Sequence, residues 1–177
     1  RCLIFPTGWQ RFPRFFRKMA MVKKQEFEVV PGESIGPFNL GMSRKEVFAV
    51  PGKNRVSGSP PDEFFQGSLQ VEYKKGKVVF IQASSDAPFR TLLKKKVVFE
   101  TKASTIVRQL SKLAELDEDE PGYSYQFPTL GLVFWREADP DSLKSELREL
   151  DRSDDDYKDQ VEFYKSEIER HSFFETV

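Results

Sequence analysis

Strand patterns in this chain come in pairs, and this grouping limits the fold more than any other feature of the sequence. Residues 69–74 alternate apolar and polar side chains, Gly76 marks a turn, and residues 78–83 are rich in β-branched side chains. This pattern is typical of a β-hairpin, and residues 123–127 and 132–135 predict a second one. A doubly wound parallel sheet needs strict alternation of strands and helices. The paired strands therefore predict an α+β fold, with an antiparallel sheet built from hairpins and helices packed on one face.

Two segments carry helix signals. Ser43 and Glu46 have the spacing of a capping box, which predicts a short helix to about Val50. A second helix is predicted where apolar residues recur at helical spacing, with Thr101 as its cap. The positions on its apolar face are Ala103, Ile106, Val107, Leu110 and Leu113.

The apolar content of the strands predicts their burial. Residues 69–74 predict a strand with one face in water. The continuous run Val78 to Ile81 predicts a buried, central strand, and residues 97–99 predict a short strand. Residues 53–66 predict a loop whose end, at Phe64 and Phe65, docks on the core.

Shifts in composition suggest three parts of the chain. Residues 1–20 are interpreted as an extension or a cloning remnant, because residues 1–18 hold five basic and no acidic residues without a regular period. The alternative is a membrane-binding or nucleic-acid-binding segment, or a transit peptide. Residues 21–139 are predicted to form the α+β core domain, and residues 140–177 a helical C-terminal segment that packs on it.

Charge and cysteine usage indicate the compartment. The chain has 28 Lys plus Arg and 28 Asp plus Glu, a balance that favours neither nucleic acid nor an acidic membrane surface. The sequence lacks the roughly 18 consecutive apolar residues of a membrane-spanning helix. Cys2 is the only cysteine, which suits a reducing compartment, so we expect a cytoplasmic protein.

Residue counts restrict the possible chemistry. With one cysteine and one histidine, His171, the sequence excludes Cys-rich zinc sites and metal sites with paired histidines. His171 is expected at an exposed helix end without a partner, where the helix dipole favours it. The acidic run 154–159 lacks the spacing of an EF-hand, and phosphate-binding glycine motifs do not occur. We therefore predict no catalytic residues, no metal site and no cofactor.

Aromatic and acidic side chains are the candidates for partner binding. Tyrosine and tryptophan dominate interface hot spots, and several lie in the second hairpin, although core packing is an alternative role. An acidic face can imitate a nucleic-acid substrate of a partner protein. The candidate residues are Tyr123, Tyr125, Trp135, Glu118, Asp119, Glu120, Asp154, Asp155 and Asp156.

Four segments read in series carry a family resemblance: L-G-M-S-R-K-E-V (40–47), K-V-V-F-I-Q-A (77–83), V-F-E-T-K-A-S-T-I-V-R-Q-L (98–110) and P-G-Y-S-Y-Q-F-P-T-L-G-L-V-F-W (121–135). Over about residues 27–136 the chain resembles small bacterial proteins and one repeat of the phagosome assembly factor family. That resemblance implies an adaptor without catalysis. The Leu-Gly-Met-Ser start is also similar to modules that resemble β-lactamase-inhibitor proteins, which are binders.

These observations favour a non-enzymatic protein-binding domain, either an adaptor or a bacterial immunity-type protein that covers a toxin. Its expected partner is another protein, not nucleic acid or a membrane. One alternative is a small hydrolase-like enzyme using carboxylates, which a deep pocket with convergent charged groups would favour. The other is a lipid or small-ligand carrier, in which the 17 phenylalanines would line a cavity.

Overall fold

Pairs of short strands dominate the fold, as the grouping in the sequence predicts. The computed structural model describes residues 24–50, 61–117 and 120–177, which form three sheets and four helices. Most strand pairs are antiparallel, so the predicted α+β fold class is confirmed.

The first sheet has five strands in the order β3-β2-β1-β7-β8. Its β1–β7 pair is parallel, which differs from the predicted purely antiparallel sheet. Parallel neighbours need a long connection, and here the whole second sheet lies between β1 and β7 in the chain. The strands are β1 (Glu26–Val30), β2 (Ser34–Ile35), β3 (Phe38–Asn39), β7 (Arg90–Leu93) and β8 (Lys96–Val97).

The second sheet corrects two predictions. Its order is β4-β5-β6, with β4 at Asp62–Phe64, β5 at Leu69–Lys74 and β6 at Lys77–Ala83. The alternation of β5 is confirmed, but β5 and not β6 is the central strand. Residues 62–64 form a strand where a loop was predicted, because they pair with β5; residues 51–60 lie outside the described ranges.

A bulge explains why the apolar run of β6 is not buried throughout. The register between β5 and β6 shifts at Glu72/Tyr73, so that Val79 has no residue opposite it. An extra residue turns the following side chains to the other face of the strand. Val79 and Phe80 are 49% and 39% exposed, while Val78 and Ile81 are buried.

The third sheet is the second predicted hairpin, which is confirmed. Strands β9 (Ser124–Phe127) and β10 (Leu132–Trp135) pair antiparallel across a 3₁₀ turn. Leu132 and Phe134 point into the core, whereas Val133 and Trp135 are exposed on the other face of β10.

The helices are α1 (Arg44–Ala49), α2 (Ala103–Leu110), α3 (Pro140–Glu149) and α4 (Tyr157–Arg170). The predicted face of α2 is buried at Ala103, Ile106 and Leu110, but the helix ends before Leu113, which is 56% exposed. The predicted cap is also wrong: the Thr101 hydroxyl donates to the Val97 carbonyl instead. None of these helices is long and apolar enough to cross a membrane.

Phenylalanine rings fill the core. Phe27 stacks on Phe89 at a centroid distance of 4.2 Å, and Phe134 stacks on Phe174 at 4.8 Å. Helices α3 and α4 pack on each other, and no residue of α4 is fully buried. The residues after α4 enter the core instead, where His171, Phe174 and Val177 are buried. The predicted extension, residues 1–20, lies outside the described residues.

The capping box at the start of α1 forms as predicted. The Ser43 hydroxyl accepts from the Glu46 amide at 3.3 Å, and the Glu46 carboxylate accepts from the Ser43 amide at 2.7 Å. Hydrogen bonds from the Ser43 amide and hydroxyl hold the pKa of Glu46 below its ordinary value. A carboxyl group with a lowered pKa stabilises the fold above its unfolded-state pKa, and this contribution is lost as the pH falls through the folded-state pKa.

We expect Ser43→Ala to lower the free energy of unfolding by about 1 kcal/mol at pH 7. The difference from the parent chain should shrink as the pH falls through the lowered folded-state pKa of Glu46, because its carboxylate then becomes protonated. Urea unfolding at pH 7 and pH 3 measures this, with the exposed Ser85→Ala as the control. An equal difference at both pH values would show that the bond from the Ser43 hydroxyl to the Glu46 carboxylate contributes nothing to stability.

Candidate functional site

An apolar groove opens between β6, β10 and the β1–β2 hairpin. Its volume is about 240 Å³. The first sheet supplies Val30 and Leu40, β6 supplies Phe80 and Ile81, and β10 supplies Leu132 and Val133. The groove therefore lies where the three sheets meet.

One short segment already pairs with both β6 and β10 at the near end of this groove. We call residues 175–177 the terminal segment. Val177 donates to the Ala83 carbonyl at 3.0 Å and accepts from the Ala83 amide at 2.8 Å. On its other side, Thr176 and Trp135 exchange two amide–carbonyl bonds of 3.2 Å. Both pairings are antiparallel, so the terminal segment is a strand inserted between two sheet edges.

The same two edges continue into the groove beyond Val177. Main-chain groups of a strand alternate in direction, so a residue two positions away presents its amide and carbonyl to the same side. Ala83 directs its amide and carbonyl toward the terminal segment, so Ile81 directs its own toward the groove. In the same way, Trp135 pairs with the terminal segment, so the main-chain groups of Val133 point toward the groove. In the described part of the chain, β6 and β10 have no strand partner on this side between Val177 and the first sheet. The groove therefore continues the space between these two edges, which is one strand wide at the terminal segment, and each edge runs antiparallel to that segment.

Close main-chain packing shuts the far end of the groove. Gly131 has a φ of +60°, and a Cβ atom there would lie 3.1 Å from the Gly32 Cα of the β1–β2 turn. At the far end of β6, Val78 exchanges 2.8 Å hydrogen bonds with Gly41 and Met42. The gap therefore has room for only a few extended residues.

Large apolar side chains are exposed around the groove. A protein surface rarely leaves such residues together unless they form a binding surface. Trp135, 38% exposed, stands on the same face of β10 as Val133. The exposed large apolar residues that line the groove are Val30, Leu40, Val79, Phe80 and Val133.

The predicted aromatic candidates have different environments. Trp135 is exposed beside the groove, and Tyr123 is 37% exposed but does not line it. Tyr125 has an internal role: its hydroxyl accepts from Arg136, and its ring packs edge-on against Phe174 at 5.4 Å. The hairpin thus contributes both a core contact and an exposed aromatic side chain.

The predicted acidic candidates that the structure describes lie away from the groove. Asp154, Asp155 and Asp156 are exposed in the connection between α3 and α4, and Glu120 is exposed before β9. Glu118 and Asp119 lie outside the described residues. The described acidic candidates do not line the groove.

Most groove residues were missed by sequence reasoning, which treated Val79, Phe80 and Val133 as ordinary strand residues. The sequence carried a signal for this surface. Odd-numbered and even-numbered positions are both apolar from Val78 to Ile81, whereas the partner strand β5 alternates apolar and polar residues. Such a run fits a strand buried on both faces, and equally one with a second apolar face turned to a partner. Only the position of β6 in the sheet separates these readings.

A second, polar cleft of about 380 Å³ lies between α2 and α3. Its cationic residues are Lys102, Arg108, Arg136 and Lys144, and it has one carboxylate, Asp141, which pairs with Lys144 at 2.6 Å. Hydrolysis by paired carboxylates needs two facing carboxyl groups. Among the residues lining this cleft, no such pair occurs.

His171 differs from its prediction as an exposed, unpartnered side chain. It ends α4 with 2% exposure, because the chain turns inward there to bring Phe174 into the core. Its Nε2 lies 3.2 Å from a Glu167 oxygen and its Nδ1 lies 3.3 Å from a Glu175 oxygen. Two carboxylates therefore flank the only imidazole of the chain.

Arg136 fixes the end of β10 and the turn after α4. The guanidinium is almost fully buried and donates to the Gly122 carbonyl at 2.6 Å and to the His171 carbonyl at 3.2 Å. It also donates to the Tyr125 hydroxyl and lies 3.4 Å from Asp139. These bonds hold β10 against the chain that leads into the terminal segment.

Comparison with known proteins adds no neighbour to this description. No protein-family model, no curated protein and no solved structure matches the chain.

Proposed function

We propose that this chain is a non-enzymatic protein-binding domain that captures a short extended segment of a partner protein in the groove between β6 and β10. The captured segment would pair as a strand with the main-chain groups of Ile81 and Val133. The observation that carries the proposal is the shared direction of the Ile81 and Val133 main-chain groups toward the groove.

Main-chain hydrogen bonding supports an extended peptide as the occupant. Strand addition gains affinity from the open edge of a sheet and specificity from the side chains at alternate positions. Here the terminal segment already shows the required register, since Val177 pairs with Ala83 and Thr176 with Trp135. An occupant that continues this register meets Ile81 on one side and Val133 on the other.

The groove's lining favours apolar side chains in that peptide. Val79, Phe80 and Val133 are each more than a third exposed and would be covered. The groove volume of about 240 Å³ is below the roughly 300–1,000 Å³ of typical small-molecule pockets, and phenylalanine rings fill the core. Both observations favour a partner's peptide over the small-ligand carrier.

The role proposed for this binding is that of an adaptor, which the sequence resemblance implies, or of an immunity-type protein, which the composition suggests. In either role, the chain recognises an exposed segment of another protein and catalyses no reaction on it. The carboxylate-hydrolase alternative has less support, because the polar cleft between α2 and α3 has the single carboxylate Asp141 among its lining residues.

The test is selection of short peptides, only a few residues long, from a random phage-displayed library on the full chain. We expect enrichment of peptides with β-branched or aromatic residues at alternate positions. Anisotropy of the labelled peptide should show binding weakened about tenfold or more by Val133→Glu, which puts a charge into the covered edge. The exposed Leu113→Glu, away from the groove, serves as the matched control and should bind like the parent chain.

A second experiment, in which the peptide and not the protein is changed, tests the strand pairing. N-methylation of the selected peptide removes main-chain donors without changing the protein. One alternate set of amides would face β6 and the other β10, so methylation of either set should weaken binding. Binding that is unaffected by N-methylation of both sets, or equal binding to parent and Val133→Glu, would contradict the proposal. A lipid that co-purifies with the chain and is displaced from it by Val133→Glu would instead support the carrier.

A further inference from the structure

A second cluster, separate from the groove lining, brings together His171, Glu137 and Glu175. Glu137 follows β10, His171 ends α4, and Glu175 begins the terminal segment. One ligand atom from each of the three side chains lies within 4.8 Å of the other two. Two parts of the chain, residue 137 and residues 171–175, thus bring an imidazole and two carboxylates together.

The imidazole supplies an independent sign of a ligand. The side chain of His171 is 3% exposed, and its buried Nδ1 makes no hydrogen bond within the described residues. Buried polar atoms are nearly always paired, so an unpaired one calls for an explanation. Its Nε2 lies 3.2 Å from the Glu167 carboxylate, and in the tautomer whose Nε2–H donates a hydrogen bond to that carboxylate the Nδ1 lone pair is available.

This arrangement matches the way proteins prepare a metal-binding histidine. A ligating imidazole commonly donates its other N–H to a carboxylate, which fixes the tautomer and the ring orientation. Tetrahedral ligands about 2.0–2.1 Å from Zn²⁺ lie about 3.3 Å apart. The His171 Nδ1 and the nearest Glu175 oxygen are 3.3 Å apart. Glu137 is 58% exposed and is free to close the remaining distance by a change of rotamer.

A cation already approaches the cluster from solvent. The Arg170 guanidinium lies 3.1 Å from Glu137 and 4.0 Å from Glu175, and its other nitrogen lies 3.6 Å from Glu167. Its side chain is 58% exposed, so it is able to swing into water. Arg170 therefore competes for the same carboxylates that a divalent ion would neutralise.

We propose that Glu137, His171 and Glu175 bind one divalent transition-metal ion of the Zn²⁺ class, with Glu167 as the positioning residue for the imidazole. A neutral imidazole with two carboxylates balances the double charge of the ion, and an imidazole nitrogen suits Zn²⁺ better than Mg²⁺ or Ca²⁺. The ion ties the terminal segment to the end of β10. This site does not depend on the proposed peptide binding.

The test is titration of the full chain with Zn²⁺ alone, in a Cys2→Ser background that removes the only thiol. We expect stoichiometric binding, followed by calorimetry, and a shift of the imidazole proton resonances. His171 is the only histidine, so these resonances need no assignment. Mg²⁺ at the same concentration should leave them unchanged.

Variants distinguish binding at this cluster from nonspecific binding of Zn²⁺ to surface carboxylates. Glu137→Gln and Glu175→Gln should each weaken Zn²⁺ binding about tenfold or more, whereas the exposed Glu149→Gln should not. Arg170→Gln should strengthen binding, because it removes the competing cation. Glu137 is largely exposed, so its variant tests the site even if Glu175→Gln fails to fold. Zn²⁺ binding unaffected by Glu137→Gln, or an absence of binding, would overturn the proposal.

Discussion

Replacing Phe174 by alanine is expected to lower the free energy of unfolding by about 3–5 kcal/mol, the usual cost of emptying a buried phenylalanine site. The ring is 1% exposed and stacks on Phe134 at 4.8 Å. It also packs edge-on against Tyr125. No other residue between α4 and Val177 places so large a side chain in the core, so this ring anchors the terminal segment.

Urea unfolding followed by circular dichroism measures this effect. The matched control is Phe163→Ala on α4, where the ring is 60% exposed and the expected change is within about 0.5 kcal/mol. Similar costs for the two variants would mean that the terminal segment contributes little to the core. Loss of the fold at room temperature would agree with the prediction, and the milder Phe174→Leu would then give the measurable value.

Arg136→Met is expected to lower the free energy of unfolding by about 3–5 kcal/mol, because it removes a buried charge from its partners. Methionine keeps the apolar stem but leaves the Gly122 and His171 carbonyls without their donor. A buried acceptor without a hydrogen bond costs about 1–3 kcal/mol. Asp139 also loses its cation, 3.4 Å away.

The exposed Arg148→Met on α3 is the control, with an expected change within about 0.5 kcal/mol. Calorimetric melting of both variants compares a buried arginine with an exposed one in the same chain. A cost of Arg136→Met near that of Arg148→Met would show that water replaces the guanidinium at these carbonyls.

Both residues matter for the groove because they hold its near end. The terminal segment pairs with Ala83 and Trp135, and Phe174 and Arg136 fix the chain on either side of that pairing. A variant that frees the terminal segment should also change peptide binding. Peptide binding to the groove is therefore best tested with exposed substitutions such as Val133→Glu, which leave Phe174 and Arg136 in place.

Local patterns predicted the elements whose contacts lie close in the sequence. The Ser43–Glu46 box starts α1 because both hydrogen bonds span three residues. The hairpins of β5–β6 and β9–β10 follow from alternation and a short turn. Such signals need no knowledge of the rest of the fold.

Other predictions failed where distant parts of the chain compete for a strand or a side chain. An apolar run predicted β6 as a central strand, but β4 takes the far edge of β5 and leaves β6 as an edge with a bulge. His171 was expected in water, but the inward turn that buries Phe174 also buries the imidazole. Neither outcome is visible in a window of a few residues.

By itself the sequence determined the α+β class, the two hairpins, the capped helix α1 and the absence of a second histidine or cysteine. Only the tertiary structure decided that β1 pairs parallel with β7, that β6 and β10 face each other across the groove, and that Glu137, His171 and Glu175 meet. The physical reason is the separation in sequence over which each kind of interaction acts. Periodicity and capping act within a few residues, whereas sheet edges and side-chain clusters are set by main-chain pairing and burial between segments tens of residues apart.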